Sequence, residues 1–218
     1  MSEIRAIDDA GIEAARKVLA AGGLIVVPTD TVYGVACNPF NAEAVAKLFV
    51  VKHRARTKSI QVLVPSVVDI ASLGLALAAP LDVLAARFMP GGFSPIADVM
   101  RDCALKTVRV TDLAGVTKRT QGVRVPDSPD ALRLLRALGP LAATSANRSG
   151  EASSTTVEQA VAQLGDGVDL YFDGGATPGP ISSTVVAADP HERDGIVILR
   201  EGVIAQDEIR AAIKGRRP

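Results

Sequence analysis

Short apolar runs, each set between turn residues, constrain this chain more than any other feature. Leu24-Ile25-Val26-Val27 follows Gly22-Gly23 and is closed by Pro28, and Ile60–Val64 is a second run of similar length. Runs so short and so rich in β-branched residues read as buried strands. The segments between them have helical spacing. Asp8 or Asp9 can cap a helix that carries Ile12, Ala15, Val18 and Leu19 on one face and stops at Gly22-Gly23. Residues 41–51 repeat the spacing through Ala44, Val45, Leu48 and Phe49, and Pro80 opens "PLDVLAARF". Further helices are expected at about 128–138, 157–164 and 206–213, and strands at 107–110, 122–125, "LAAT", "VDLYF", "STVV" and "IVIL". Mixed in this way, the elements predict an α/β sheet covered by helices.

Composition narrows the function. Of 218 residues, 48% are hydrophobic but only 3% aromatic, so the core must be aliphatic and base-stacking platforms of the RNP type are excluded. Lys and Arg balance Asp and Glu at 24 each, so any nucleic-acid contact has to be local. Cys37 and Cys103 lack metal-ligand spacing and there are two His, which argues against zinc and for a reduced cytosolic protein. No apolar run approaches the ~18 residues of a membrane span, and the acidic, amphipathic start is not a signal peptide. With no repeat and no linker, a single domain over 1–218 is expected, its core at about 7–213 and "KGRRP" (214–218) as a basic tail.

Against that neutral background, "VVKHRARTKS" places Lys52, Arg54, Arg56 and Lys58 on alternate positions around His53. Such a cluster repels itself unless an anion relieves it, and Lys and Arg both bind phosphates; a solvated helix end is the alternative. Three more loops carry polar groups. "PTDTVYG" (28–34) presents hydroxyls and a carboxylate at a strand end, or is a turn capping its own backbone. "ATSANRSGEASSTT" (143–156) alternates Ser145 and Asn147, so that both could face one ligand, or is a Ser-rich connector. "DGGATPGPISSTVV" (173–186) precedes "ILREG" (198–202). Neither G-x-x-x-x-G-K-[ST] nor G-x-G-x-x-G occurs, so side-chain cations and hydroxyls would have to hold any phosphate. His191, in "DPHERDG", reads as a surface residue.

Taken in order, "GGLIVVPTDTVYGVACN", Lys52-x-Arg54-x-x-x-Lys58, "FMPGGFS", "GVRVPDSP", "SANRSGEASSTT", "DGG-TPG" and "STVV…ILREG" resemble the YrdC/Sua5 family of threonylcarbamoyl-adenylate synthases, from about Gly22 to Gly202. The resemblance implies one YrdC-like α/β domain, a twisted mixed β-sheet flanked by helices around a positively charged cavity. It also implies a cytoplasmic nucleotidyltransferase. Such an enzyme condenses L-threonine, bicarbonate and ATP with Mg²⁺, releases pyrophosphate, and feeds partner enzymes that transfer threonylcarbamoyl to adenosine 37 of tRNAs reading ANN codons. By motif, Lys52, Arg54 and Lys58 would neutralise ATP phosphates, with Lys52 and Arg54 catalytic. Ser145, Asn147 and Arg200 would hold the nucleotide. Thr31, Tyr33, Arg124 and Ser183 would surround the threonine or carbamate end, and no metal ligand is fixed in the protein. A weak tRNA contact fits the same picture, as does membrane independence.

The chain departs from the family pattern at Ser59-Ile60, at Gly92 in "PGGFS", and at "SPIADVM", which makes 95–121 the poorest match. Two other functions compete: a tRNA- or double-stranded-RNA-binding module, and a related carbamoyl-adenylate enzyme.

Overall fold

The computed structural model describes residues 3–113 and 116–214. In chain order the elements are β1 (Glu3–Ala6), α1 (Asp9–Ala20), β2 (Ile25–Val27), β3 (Gly34–Cys37), α2 (Ala42–Val51), β4 (Gln61–Leu63), α3 (Val68–Ser72), β5 (Leu75–Ala76), α4 (Leu81–Phe88) and β6 (Phe93–Val99). They continue with β7 (Arg109–Leu113), β8 (Val116–Arg124), α5 (Pro129–Leu138), β9 (Leu141–Ser145), α6 (Val157–Leu164), β10 (Leu170–Asp173), β11 (Thr184–Ala188), β12 (Ile196–Arg200) and α7 (Gln206–Lys214).

Capping chemistry explains why the helices start where they do. The side chains of Asp8, Asn41, Ser128 and Thr156 each accept a hydrogen bond from a backbone N–H of the first turn of α1, α2, α5 and α6. Pro129 adds a fixed φ at the first position of α5.

The strands form one mixed sheet in the order β1-β10-β2-β3-β9-β4-β8-β6-β11-β12, with β5 on β6 and β7 on β8. Strand alternation sorts its side chains. Leu24 and Val26 join Val35, Cys37 and Ala142 under α2 and α6. Ile25 and Val27 join Ala36, Leu63, Leu141 and Ala143 under α1 and α5 on the opposite face. A third cluster packs Val62, Val123, Phe93 and Val186 against α4 and α7. β8 ties the halves together. Thr120–Gly122 pairs with Asp98–Ile96 of β6, while Val123 and Arg124 pair with Val62 and Leu63 of β4.

Four details correct the sequence reading. The sheet begins before residue 7, because β1 adds parallel to β10 through Glu3–Ala6, whose side chains are exposed. Lys214 belongs to α7, and residues 215–218 of the expected tail lie outside the described residues. Gly34–Cys37 is a fully buried strand, not only the end of a turn. Phe93–Val99 is a seven-residue strand despite its Pro and Asp, paired on both sides by β8 and β11.

Candidate active site

Six adjacent strands, β3, β9, β4, β8, β6 and β11, supply the floor of one cleft through Gly34, Ala143, Gln61, Leu63, Gly122, Ile96 and Val185. Its walls are the loop 29–32, Arg54 and Ser59, Ser182-Ser183, and Arg200 at the end of β12. The cleft encloses about 820 Å³, part of it open to solvent. Three arginines line it, and no Asp or Glu does.

Arg124 ends β8 and is 2% exposed. Its Nε donates to Gly91 O (2.9 Å), Nη1 to Thr31 Oγ1 (3.0 Å) and Nη2 to Asp30 Oδ1 (2.6 Å). Burial lowers its pKa, and Asp30 opposes that effect. Thr31 is itself fixed: its backbone N–H donates to Thr29 Oγ1, and the two hydroxyls lie 3.1 Å apart. Asp30 was not among the residues expected to matter, and it is the partner that keeps the Arg124 charge buried.

The other two arginines of the cleft lack such a partner. Arg200 donates through Nε and Nη2 to Ser183 O (3.2 and 2.7 Å) and through Nη2 to Ser183 Oγ (3.3 Å). Arg54 donates through Nη2 to Ser59 O (2.8 Å), and its buried Nε has no partner. Burial lowers the pKa of both, and the neighbouring Arg124 and Arg54 charges lower that of Arg200 further. Backbone carbonyls hold these two guanidiniums in place without neutralising them.

The structure divides the basic run. Lys52, 1% exposed, caps the C-terminus of α2 and turns inward, where its Nζ donates to Ser145 O, Asn147 O and Asn147 Oδ1. Burial, followed by the Arg54 and Lys58 charges, pushes its pKa down to about 7. Lys52 therefore fastens the Ser145–Asn147 turn to the end of α2. Asn147 is buried as well, its Nδ2 donating to Arg148 O and Glu151 O. Lys58 donates to Ser149 Oγ (3.3 Å) and, with Arg56, lines a separate basic hollow that also holds Lys106 and Arg109.

Tyr33 is fully buried. Its hydroxyl donates to Gly175 O (2.6 Å) and accepts from Gly174 N (3.1 Å), and so it staples the 173–175 loop. Of the residues singled out from sequence, Thr31, Arg54, Arg124, Ser145, Ser183 and Arg200 line the cleft. Lys52, Asn147, Lys58 and Tyr33 lie outside its lining and act on the loops around it. Sequence reasoning missed Gln61 and Ser94, which sit in the cleft at strand positions facing Ser183. Their signal was weak: a single polar residue in β4, and in β6 a serine in a strand already broken by Pro95 and Asp98.

Comparison with known proteins identifies the family of the chain. Residues 17–202 match the family model Sua5/YciO/YrdC, described as "Telomere recombination". A Mycobacterium tuberculosis protein provisionally named threonylcarbamoyl-AMP synthase is 37% identical over 202 residues, which is 91% of this chain and 87% of that one. Bacillus subtilis threonylcarbamoyl-AMP synthase is 33% identical over 207 residues, 94% of this chain and 57% of that protein. The crystal structure of P. abyssi Sua5 complexed with L-threonine superposes with a TM-score of 0.81 at 27% identity, over 98% of this chain and 60% of that one. The chain thus spans under two thirds of the length of the Bacillus and Pyrococcus proteins.

Proposed function

The chain belongs to the Sua5/YciO/YrdC family, and from that premise we propose that it is a threonylcarbamoyl-AMP synthase. It joins L-threonine, bicarbonate and ATP as a nucleotidyltransferase, releases pyrophosphate, and supplies partner transferases that modify adenosine 37 of tRNAs reading ANN codons. The observation that carries this reading is the convergence of Arg54, Arg124 and Arg200 on one cleft, with a carboxylate opposing only Arg124.

Fixed cations are what this chemistry needs. A carbamate oxygen attacks the α-phosphorus, the bond to pyrophosphate breaks, and negative charge gathers on the leaving group. Arg54 and Arg200, already oriented by Ser59 O and Ser183 O, meet that charge with little reorganisation. Thr31 and Arg124 form the wall suited to the amino-acid end, where placement matters more than a strong base. The turn held by Lys52 brings Ser145 to the nucleotide side.

Among the described residues no group of three His, Cys, Asp or Glu could cage a metal ion, and Asp30 is committed to Arg124. These residues do not fit a resident magnesium. An ion arriving on the triphosphate, with phosphate oxygens and water as its ligands, is part of the substrate. Among the described residues, no helix is long and apolar enough to cross a membrane. We place the enzyme in the cytoplasm with its tRNA-modifying partners.

The test is pyrophosphate release from ATP and Mg²⁺, with L-threonine and bicarbonate each present or omitted. Release that requires both is expected. Release indifferent to threonine, or none from the folded protein, sinks the proposal.

A further inference from the structure

A hydrogen-bond chain crosses the cleft floor and ends in an amide whose nitrogen no protein group uses among the described residues. Ser94 Oγ lies 2.8 Å from both Gln61 Oε1 and Ser183 Oγ, and Arg200 Nη2 lies 3.3 Å from Ser183 Oγ. Both serines are 1% exposed, so these contacts do not compete with bulk water. A hydroxyl has one proton to give, and a carbonyl oxygen can only accept. The Ser94 proton therefore goes to Gln61 Oε1. Ser183 Oγ accepts from the Arg200 guanidinium and stands within hydrogen-bond distance of Ser94 Oγ.

The bond from Ser94 to Oε1 leaves the other end of the Gln61 amide for the cleft. With Oε1 bound to Ser94, Nε2 remains without a protein partner among the described residues, and Gln61 lines the cleft. Its neighbour across β8 is Gly122, where a Cβ would stand 3.6 Å from the Gln61 Cβ. A side chain there would crowd the floor beside the amide, and glycine leaves that space open. One strand position along on the same face, Leu63 pairs with Arg124, the anchor of the proposed amino-acid wall. At the other end of the chain stands Arg200, on the proposed nucleotide wall. Gln61 thus sits between the two substrate halves.

We propose that Gln61 is a substrate-positioning residue whose amide N–H donates to an anionic oxygen of the amino-acid-derived acyl group, where that group meets the nucleotide. Ser94 and Ser183 act through it by holding the amide in its donor orientation. The inference rests on the synthase reading and goes beyond it, because it assigns the cleft floor a recognition role that the arginines cannot fill. An arginine supplies charge to any anion. A neutral donor fixed at one point selects a geometry.

The experiment compares Gln61→Leu and Gln61→Glu with the wild type in the pyrophosphate assay, varying L-threonine at saturating ATP and then the reverse. Thermal unfolding and the binding of L-threonine alone are measured by calorimetry on the same samples. Losing a donor to a charged oxygen predicts a fall in kcat/KM for threonine of about tenfold or more, with the KM for ATP within about twofold of wild type. Gln61→Glu keeps the acceptor for Ser94 but turns a carboxylate oxygen on the substrate. It should lose at least as much activity and regain part of it as pH falls toward the ordinary Glu pKa of about 4.3, where the side chain donates again. A purely structural role for Gln61 would not give that pH response. If both variants match the wild type, or if only the ATP parameters move, Gln61 does not contact the acyl group. A wild type that releases pyrophosphate without needing threonine defeats the synthase reading itself and this proposal with it.

Discussion

The two walls of the cleft are both cationic, yet they are built on opposite electrostatic plans. Arg124 is buried with a carboxylate, a hydroxyl and a carbonyl on its three nitrogens, so its charge is met inside the protein. Arg54 and Arg200 are held by carbonyls and, for Arg200, a serine hydroxyl, with no carboxylate, and Arg54 Nε has no partner among the described residues. A charge balanced by an internal carboxylate stabilises the fold and orients its neighbour, here Thr31. A charge held by neutral dipoles keeps its field for whatever enters the cleft. The same residue type therefore serves as a strut on one side and as a ligand grip on the other.

If that contrast is right, the largest effect falls on turnover and the next on stability. Arg54→Ala and Arg200→Ala should each lower pyrophosphate release by about 100-fold, the order of magnitude for removing one preorganised donor. Their unfolding midpoints in urea should stay near that of the wild type, because neither leaves a buried carboxylate behind; a collapse of the fold would erase the distinction between the walls. Arg124→Ala should do the reverse, costing about 3–5 kcal/mol in urea unfolding because it strands Asp30. The double variant Arg124→Ala with Asp30→Asn should recover part of that loss. If Asp30→Asn restores nothing, the ion pair is not what holds this wall.

Lys52 sharpens the comparison, since it is a cation buried without any carboxylate. With a folded pKa of about 7 against an ordinary value near 10.5, the unfolded chain binds the extra proton between those limits. The stability contribution of Lys52 is therefore complete above the unfolded value and is lost as pH falls through about 7. Relative to Lys52→Met, the wild type should gain stability as pH is raised from about 7 toward 10, read from urea melts. A flat difference would mean that the carbonyls of Ser145 and Asn147 keep the ammonium charged throughout. The smallest effect belongs to Arg56, exposed and outside the cleft lining. Arg56→Ala should change stability by no more than about 0.5 kcal/mol and leave turnover near wild type.

What the sequence disclosed followed local rules. Helix starts were legible because Asp8, Asn41, Ser128 and Thr156 carry their capping chemistry with them. β6 was harder to see, because Pro95 and Asp98 break an apolar pattern that pairing on both edges overrides. The site was legible as a set of loops but not as a set of directions. Lys52, Arg54, Arg56 and Lys58 read as one cluster around an anion, yet they divide among the interior, the cleft and a separate hollow. One signal was available. Lys52 stands four residues after buried Leu48 and eight after buried Ala44, on the inward stripe of α2, and helical period rather than strand period governed it. Asp30 was legible as the carboxylate of its loop, but its pairing with Arg124 was not, and the roles of Gln61 and Ser94 were hidden for the same reason: their partners are 94, 33 and 89 residues away in the chain.

β8 carries a consequence for how the cleft can change shape. Backbone ladders join its residues Thr120–Gly122 to β6 and Val123-Arg124 to β4, so the distance across the floor is set by peptide geometry, as in a riveted plate. Opening that floor would mean unzipping strands in the middle of the sheet. The parts free to adjust are the walls, 29–32, 54–59 and 182–183, which border a floor of fixed width. Variation among relatives with this fold that changes what the cleft accepts should therefore accumulate in the walls and in the few floor side chains, such as Gln61, that project from the ladder.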